Sequence, residues 1–169
     1  MLELLTNFEI IGLSLIVLYT ILAVLSMLKG RKFLFSRPTE NQNSKKSIYN
    51  DYMEAIRREL DKAHILAGFS LAVLALSSIF PTNLTFRLFI SLSFIMSLFS
   101  TILIVEERRR IFFYIPSLLN DISKMFILIS LISFEPALSI LFLISIFLMM
   151  IIGLERWYKL TQFWSNERK

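Results

Sequence analysis

Long apolar runs separated by short polar clusters organise this chain. The first, Ile10 to Leu28 ("IIGLSLIVLYTILAVLSML"), holds 19 residues, close to the ~20 that carry an α-helix across a ~30 Å hydrocarbon core. The second and third, residues 65–80 and 88–105, flank "PTNLTFR", where Pro81 and Asn83 supply turn chemistry, so they read as a helical hairpin. Residues 125–154 are almost continuously apolar, with Glu135 and Pro136 inside the run. A single helix over them would be about 45 Å long at ~1.5 Å per residue, more than a bilayer needs. Divided at Glu135, the region gives two 19-residue spans, 116–134 and 136–154, each opening on a proline suited to a first helical turn.

That division decides where the charges fall. Glu3 and Glu9 precede the first run, and Lys29, Arg31 and Lys32 follow it. This is the reverse of a cleavable leader and the sign expected of a retained span with its amino end outside. With five spans, nine basic residues lie in loop 29–64, three in "EERRR" and four after the last span, so sixteen of eighteen share one side. With four spans, the last a long kinked helix, the basic carboxyl tail would face the other compartment. The expectation is an all-α polytopic bundle, one membrane domain over 1–169, with spans near 10–28, 65–80, 88–105, 116–134 and 136–154 and a cytoplasmic carboxyl end. Glu135 is then a turn residue at the outer surface, favoured by the positive end of the helix that follows. The four-span alternative would place it in hydrocarbon, where an acid usually has a function.

Composition reinforces the membrane reading and narrows the chemistry. The 169 residues are 56% hydrophobic with 16 Phe and a mean hydropathy of +0.66, too apolar for a soluble domain of this size. Cysteine is absent and histidine occurs once, which removes thiolate metal sites, bis-histidine haem and most Cys- or His-based catalysis. No GxSxG, HExxH, Walker or dinucleotide glycine motif occurs. No cofactor or metal is expected, nor an enzyme. The sequon "NLT" at Asn83 sits in a turn pressed against the bilayer, a poor place for a glycan.

Loop 29–64 is the one sizeable polar segment. Its first half, "KGRKFLFSRPTENQNSKK", reads as a linker lying near anionic headgroups. In its second half, "NDYMEAIRRELDKAH", Asn50 is a suitable N-cap, and Met53, Ile56, Leu60 and Ala63 recur at helical spacing. Glu54 with Arg58, and Arg57 with Asp61, form i,i+4 pairs. One helix is therefore expected from about Asn50 to Phe80, projecting from the second span into the cytoplasm. Its Tyr49, Met53, Ile56 and Leu60 face would dock a partner helix, or pack on the protein's own inner loops or on lipid headgroups. In the tail "ERWYKLTQFWSNERK", Trp157, Leu160 and Trp164 accompany Arg156 and Lys159, the aromatic and basic mixture of a membrane interface. With a span adjacent, lipid headgroups rather than nucleic acid are the expected source of phosphate.

Within the spans, Asp121 and Lys124 share a helical face with Ser117 and Asn120. Counted from Pro116, the acid lies about 7 to 8 Å deep and the lysine about 12 Å. They form either a polar strip lining a pathway or an internally neutralised pair. His64 caps the entrance to the second span. Gly68, Ala72 and Ala75 make one small-residue face, and Ser93, Ser97 and Ser100 another; both suit close helix approach, within the hairpin or to a partner's span. The function expected is a non-catalytic accessory, scaffold or assembly subunit of a larger membrane complex. Its partners would be membrane lipids and other membrane subunits, with self-association allowed by the same faces. A small proton or cation channel or transporter using Asp121, Lys124 and Glu135 is the alternative, and a membrane effector or immunity-type protein the third.

Overall fold

In hydrocarbon every backbone polar group must be satisfied within its own segment, and the apolar runs meet that demand as helices. The computed structural model describes residues 6–29, 45–79, 82–106 and 111–166. They form α1 (Asn7–Lys29), α2 (Lys45–Ile79), α3 (Leu84–Glu106), α4 (Ile111–Phe134), a single 3-10 turn (Pro136–Leu138) and α5 (Ser139–Asn166), with no strand among the described residues. Each of the five helices is long and apolar enough to cross a membrane. The last third of the chain is therefore two elements. Glu135 closes α4 by donating its N–H to the Leu131 carbonyl at 2.8 Å, and its own carbonyl accepts the Leu138 N–H at 3.1 Å to start the 3-10 turn. Its side chain is exposed.

Two boundaries differ from the sequence expectation. α2 begins at Lys45 rather than near Asn50 and runs 35 residues, about 52 Å at ~1.5 Å per residue. α4 begins at Ile111, so Pro116 lies inside the helix instead of opening it. The residues before the proline, "IFFYI", are as apolar as those after it, and the missing N–H costs only one backbone bond. Ser100 of α3 then donates its hydroxyl to the Pro116 carbonyl at 3.1 Å.

α4 is the hub. It packs on all four other helices, while α2 pairs with α3 on one side of it and α1 with α5 on the other. Of its span 67% is buried, against 28% or less in the other four. Small polar side chains let its neighbours come close, and Ser117, Asn120, Ser123, Ser130 and Ser133 are all buried. Among them run Leu118, Ile122, Met125, Ile129 and Ile132, which form the apolar core with Ile16 and Tyr19 of α1, Phe89 of α3 and Ile146 and Met150 of α5. Phe89 and Phe126 stack with centroids 6.1 Å apart.

The ends are fastened by side chains. Thr6 and Glu9 form a capping box on α1: the Thr6 hydroxyl accepts the Glu9 N–H at 3.4 Å and the Glu9 carboxylate accepts the Thr6 N–H at 2.6 Å. The same carboxylate, 2% exposed, accepts the Ser133 hydroxyl of α4. Asn83 caps α3 by accepting the Phe86 N–H at 2.8 Å and donates to the Ser133 carbonyl at 2.8 Å. Arg87 donates to the Ser77 carbonyl at 2.7 Å and to the Thr82 hydroxyl at 2.9 Å, satisfying an orphan acceptor at the end of α2. These contacts lie at the Glu135 end of the bundle. The opposite end, where α1 and α3 finish and α2 and α4 start, is the basic end.

Candidate functional site

Towards the basic end the four helices around Asp121 supply one polar side chain after another. Lys124, one turn on along α4, reaches one carboxylate oxygen of Asp121 at 3.3 Å. The other oxygen accepts the Tyr19 hydroxyl from α1 at 2.8 Å and the Arg156 guanidinium from α5. Arg156 also donates to the Ser117 hydroxyl at 2.9 Å and stands 3.7 Å from the Glu59 carboxylate of α2. Glu59 takes Lys62 at 2.6 Å, and its backbone carbonyl and carboxylate accept the Asn120 amide at 3.0 and 3.1 Å. The acids are nearly buried, with side-chain exposures of 10% for Asp121 and 6% for Glu59, whereas the three cations are exposed by about a third. Each acid thus meets two cations and a neutral donor, the arrangement that offsets the cost of removing charge from water.

Tyr19 and Trp157 complete the cluster. The Trp157 indole N–H donates to the Tyr19 hydroxyl at 3.0 Å, and its ring lies against Tyr114 with centroids 5.2 Å apart. The phenol is therefore acceptor to α5 and donor to α4 at once. Gly153 makes the room: a Cβ there would stand 2.6 Å from the Tyr19 hydroxyl oxygen and 3.0 Å from its ring. Trp157 corrects the sequence expectation, since at 1% exposure it is a core residue and not an interface anchor. It follows Ile146, Met150 and Gly153 on one face of α5, which turns inward onto α1 and α4. α5 continues through Leu160 and Trp164, whose side chains lie outside those described.

The Asp121 and Lys124 pair anticipated from spacing is present, but as one edge of a larger network. Glu135 does not join it: fourteen residues of α4 lie between, about 20 Å along the helix. The two small-residue faces behave oppositely. Ser93, Ser97 and Ser100 are fully buried, and the Ser93 hydroxyl meets that of Ser70 of α2 at 3.0 Å and that of Ser123 of α4 at 2.8 Å, linking three helices. Gly68, Ala72 and Ala75 are exposed, and nothing lies within 4 Å of where a Gly68 Cβ would be. Packing within the hairpin is thus corrected for this second face: α2 packs through Glu59, Ala63, Ser70 and Ser77, which are buried and recur at intervals of four and seven on its other side. Met53, Ile56 and Leu60 flank that packed side and are half-buried, so most of the anticipated docking stripe faces the chain's own bundle. The Tyr49 side chain lies outside those described, and His64 is exposed.

Sequence reasoning placed Asn120 and Ser117 on the right face but missed Glu59, Arg156 and Tyr19 as partners. A tyrosine in the middle of an apolar span was a usable signal, because a buried phenol needs a hydrogen-bond partner. Nothing local in the sequence links residue 59 to residue 156. Among the described residues no group of three His, Cys, Asp or Glu side chains could hold a metal ion. The chain matches no family model, no curated protein and no solved structure.

Proposed function

We propose that this protein is a non-catalytic accessory or scaffold subunit of a larger membrane complex, inserted with its amino end outside and its carboxyl end in the cytoplasm. The observation that carries the reading is the outward face of α2. Gly68, Ala72 and Ala75 present small residues to the membrane with no partner among the described residues, although a small-residue face is favourable chiefly where another helix comes close. The same helix continues on the amino side of the apolar run that starts at Ile65, packed on the bundle through Glu59 and Ala63 while Glu54 and Arg58 pair on its outer surface. The weight of basic residues around the basic end supports its cytoplasmic placement.

The polar cluster supports a structural role for its charges rather than a path for ions. Asp121 has both oxygens engaged and Glu59 is paired on either side, while Glu135 stands apart in a surface turn. Affinity purification from native membranes followed by mass spectrometry tests the proposal. Other membrane subunits are expected in fixed proportion to this chain; recovery of the chain alone would overturn it. Proton or cation flux in liposomes that is lost on changing Asp121→Asn would favour transport instead.

A further inference from the structure

We infer that the open side of α4, between α2 and α5, holds one anionic phospholipid from the leaflet at the basic end, its phosphate on Lys62, Lys124 and Arg156 and an acyl chain in the groove below them. α4 is covered unevenly. Asn120 turns to α2, Ser123 to α3, Ser133 to α1, and Asp121 and Ser117 to α5. At ~100° of rotation per residue these contacts leave open the arc between the α5 and α2 directions. Lys124, Leu128 and Leu131 lie on that arc, all half-buried. α2 and α5 flank it without forming a packed pair, and Arg156 reaches across to stand 3.7 Å from Glu59.

The flanking helices repeat the pattern of α4, a cation in line with two apolar residues of the same helical face. On α2 they are Lys62 with Leu66 and Val73, and on α5 Arg156 with Met149 and Phe142, again all half-buried. The apolar stretch runs about 10 to 21 Å from the cations at ~1.5 Å per residue, roughly the depth of one leaflet of a ~30 Å core. The cations stand where the apolar runs stop, Lys62 three residues before Ile65 and Arg156 two after Leu154, which is the level of the headgroups. Charge then selects the occupant. Glu59 and Asp121 are nearly buried while the three cations are exposed by about a third, so the cluster carries a net +1 and turns its positive side outward. Each lysine gives one N–H to its acid, Lys62 to Glu59 and Lys124 to Asp121, and an ammonium has three. A basic pocket between membrane helices suits a lipid phosphate. Because one arginine side chain spans the groove, it is narrower than the ~10 to 12 Å that a partner helix needs with its side chains.

Native mass spectrometry of the full chain in mild detergent tests the assignment, with phosphatidylglycerol, phosphatidylcholine and inorganic phosphate as probes. One phosphatidylglycerol per chain is expected to be retained, several-fold more than phosphatidylcholine, and inorganic phosphate at the same concentration should not displace it. Lys62→Gln leaves Glu59 its contacts with Asn120 and Arg156 and should weaken retention several-fold at an unchanged thermal midpoint. Leu128→Trp, which fills the floor of the groove, should do the same, whereas Arg58→Gln, on the outer surface of α2, should have no effect. Equal retention of the two lipids, unchanged retention in either Lys62→Gln or Leu128→Trp, or displacement by inorganic phosphate would overturn the site. So would a membrane subunit that accompanies the wild type and is lost from Lys62→Gln while lipid retention stays the same, since a protein carboxylate would then occupy the cations.

Discussion

Gly153 and Gly68 look alike in the sequence, each a glycine within an apolar run, and the structure gives them opposite meanings. A methyl at 153 would collide with the Tyr19 hydroxyl and ring, and the phenol cannot swing away without breaking its bonds to Asp121 and Trp157. Gly153→Ala should therefore cost about 1 to 3 kcal/mol, as overpacking does in tight cores, read as a fall in the thermal midpoint in detergent. Gly12→Ala should cost less, because the atoms it would meet, Cγ1 and Cδ1 of Ile129, stand at 3.0 and 3.2 Å, clear of the 2.6 Å collision at 153. Gly68→Ala should be close to neutral. Asp121→Asn leaves Arg156 and Lys124 facing an uncharged amide, and about 2 to 4 kcal/mol is expected to be lost, towards the lower end because both cations are partly exposed. Combined with Arg156→Gln, the two changes should be less harmful than their sum. Strict additivity would mean that the charges do not act together.

What the sequence disclosed about the elements followed their physics. The number of spans was legible because length, hydropathy and basic residues all favoured a division at Glu135, and the backbone does break there. The start of α4 was misplaced because a proline can open a helix or sit inside one, and only the neighbours of Pro116 decide between the two. The small-residue faces show the same limit: spacing marked both Ser93, Ser97, Ser100 and Gly68, Ala72, Ala75 as suited to contact, but not which would find it within the chain. The capping box of Thr6 and Glu9 could have been read from "TNFE", since a hydroxyl three residues before an acid at the head of an apolar run is its signature. Glu135→Cys should react with an impermeant thiol reagent from the side opposite a cysteine placed at Trp164. Labelling of both from one side would contradict an odd number of spans between the basic end and the outer surface.

The molecule as a whole is one central helix held between two pairs. α4 joins α2 and α3 through Asn120, Ser123 and the Pro116 and Ser133 carbonyls, and it joins α1 and α5 through Asp121, Ser117 and Ser133. Both carboxylates of this core, Asp121 and Glu59, are answered by cations and neutral donors within the chain, so it can fold as a unit and still present a long helix face to another protein. None of the long-range pairs was legible beforehand, since residues 19, 59, 121 and 156 meet only after all the helices have packed. The most direct measurement is the size of the assembly extracted from native membranes in mild detergent, resolved by native electrophoresis, for the wild type and for Gly68→Leu. The wild type is expected as a large, defined complex, and the variant as a much smaller species of unchanged thermal stability. A wild-type chain that runs alone, or a complex of the same size in both, would contradict the account.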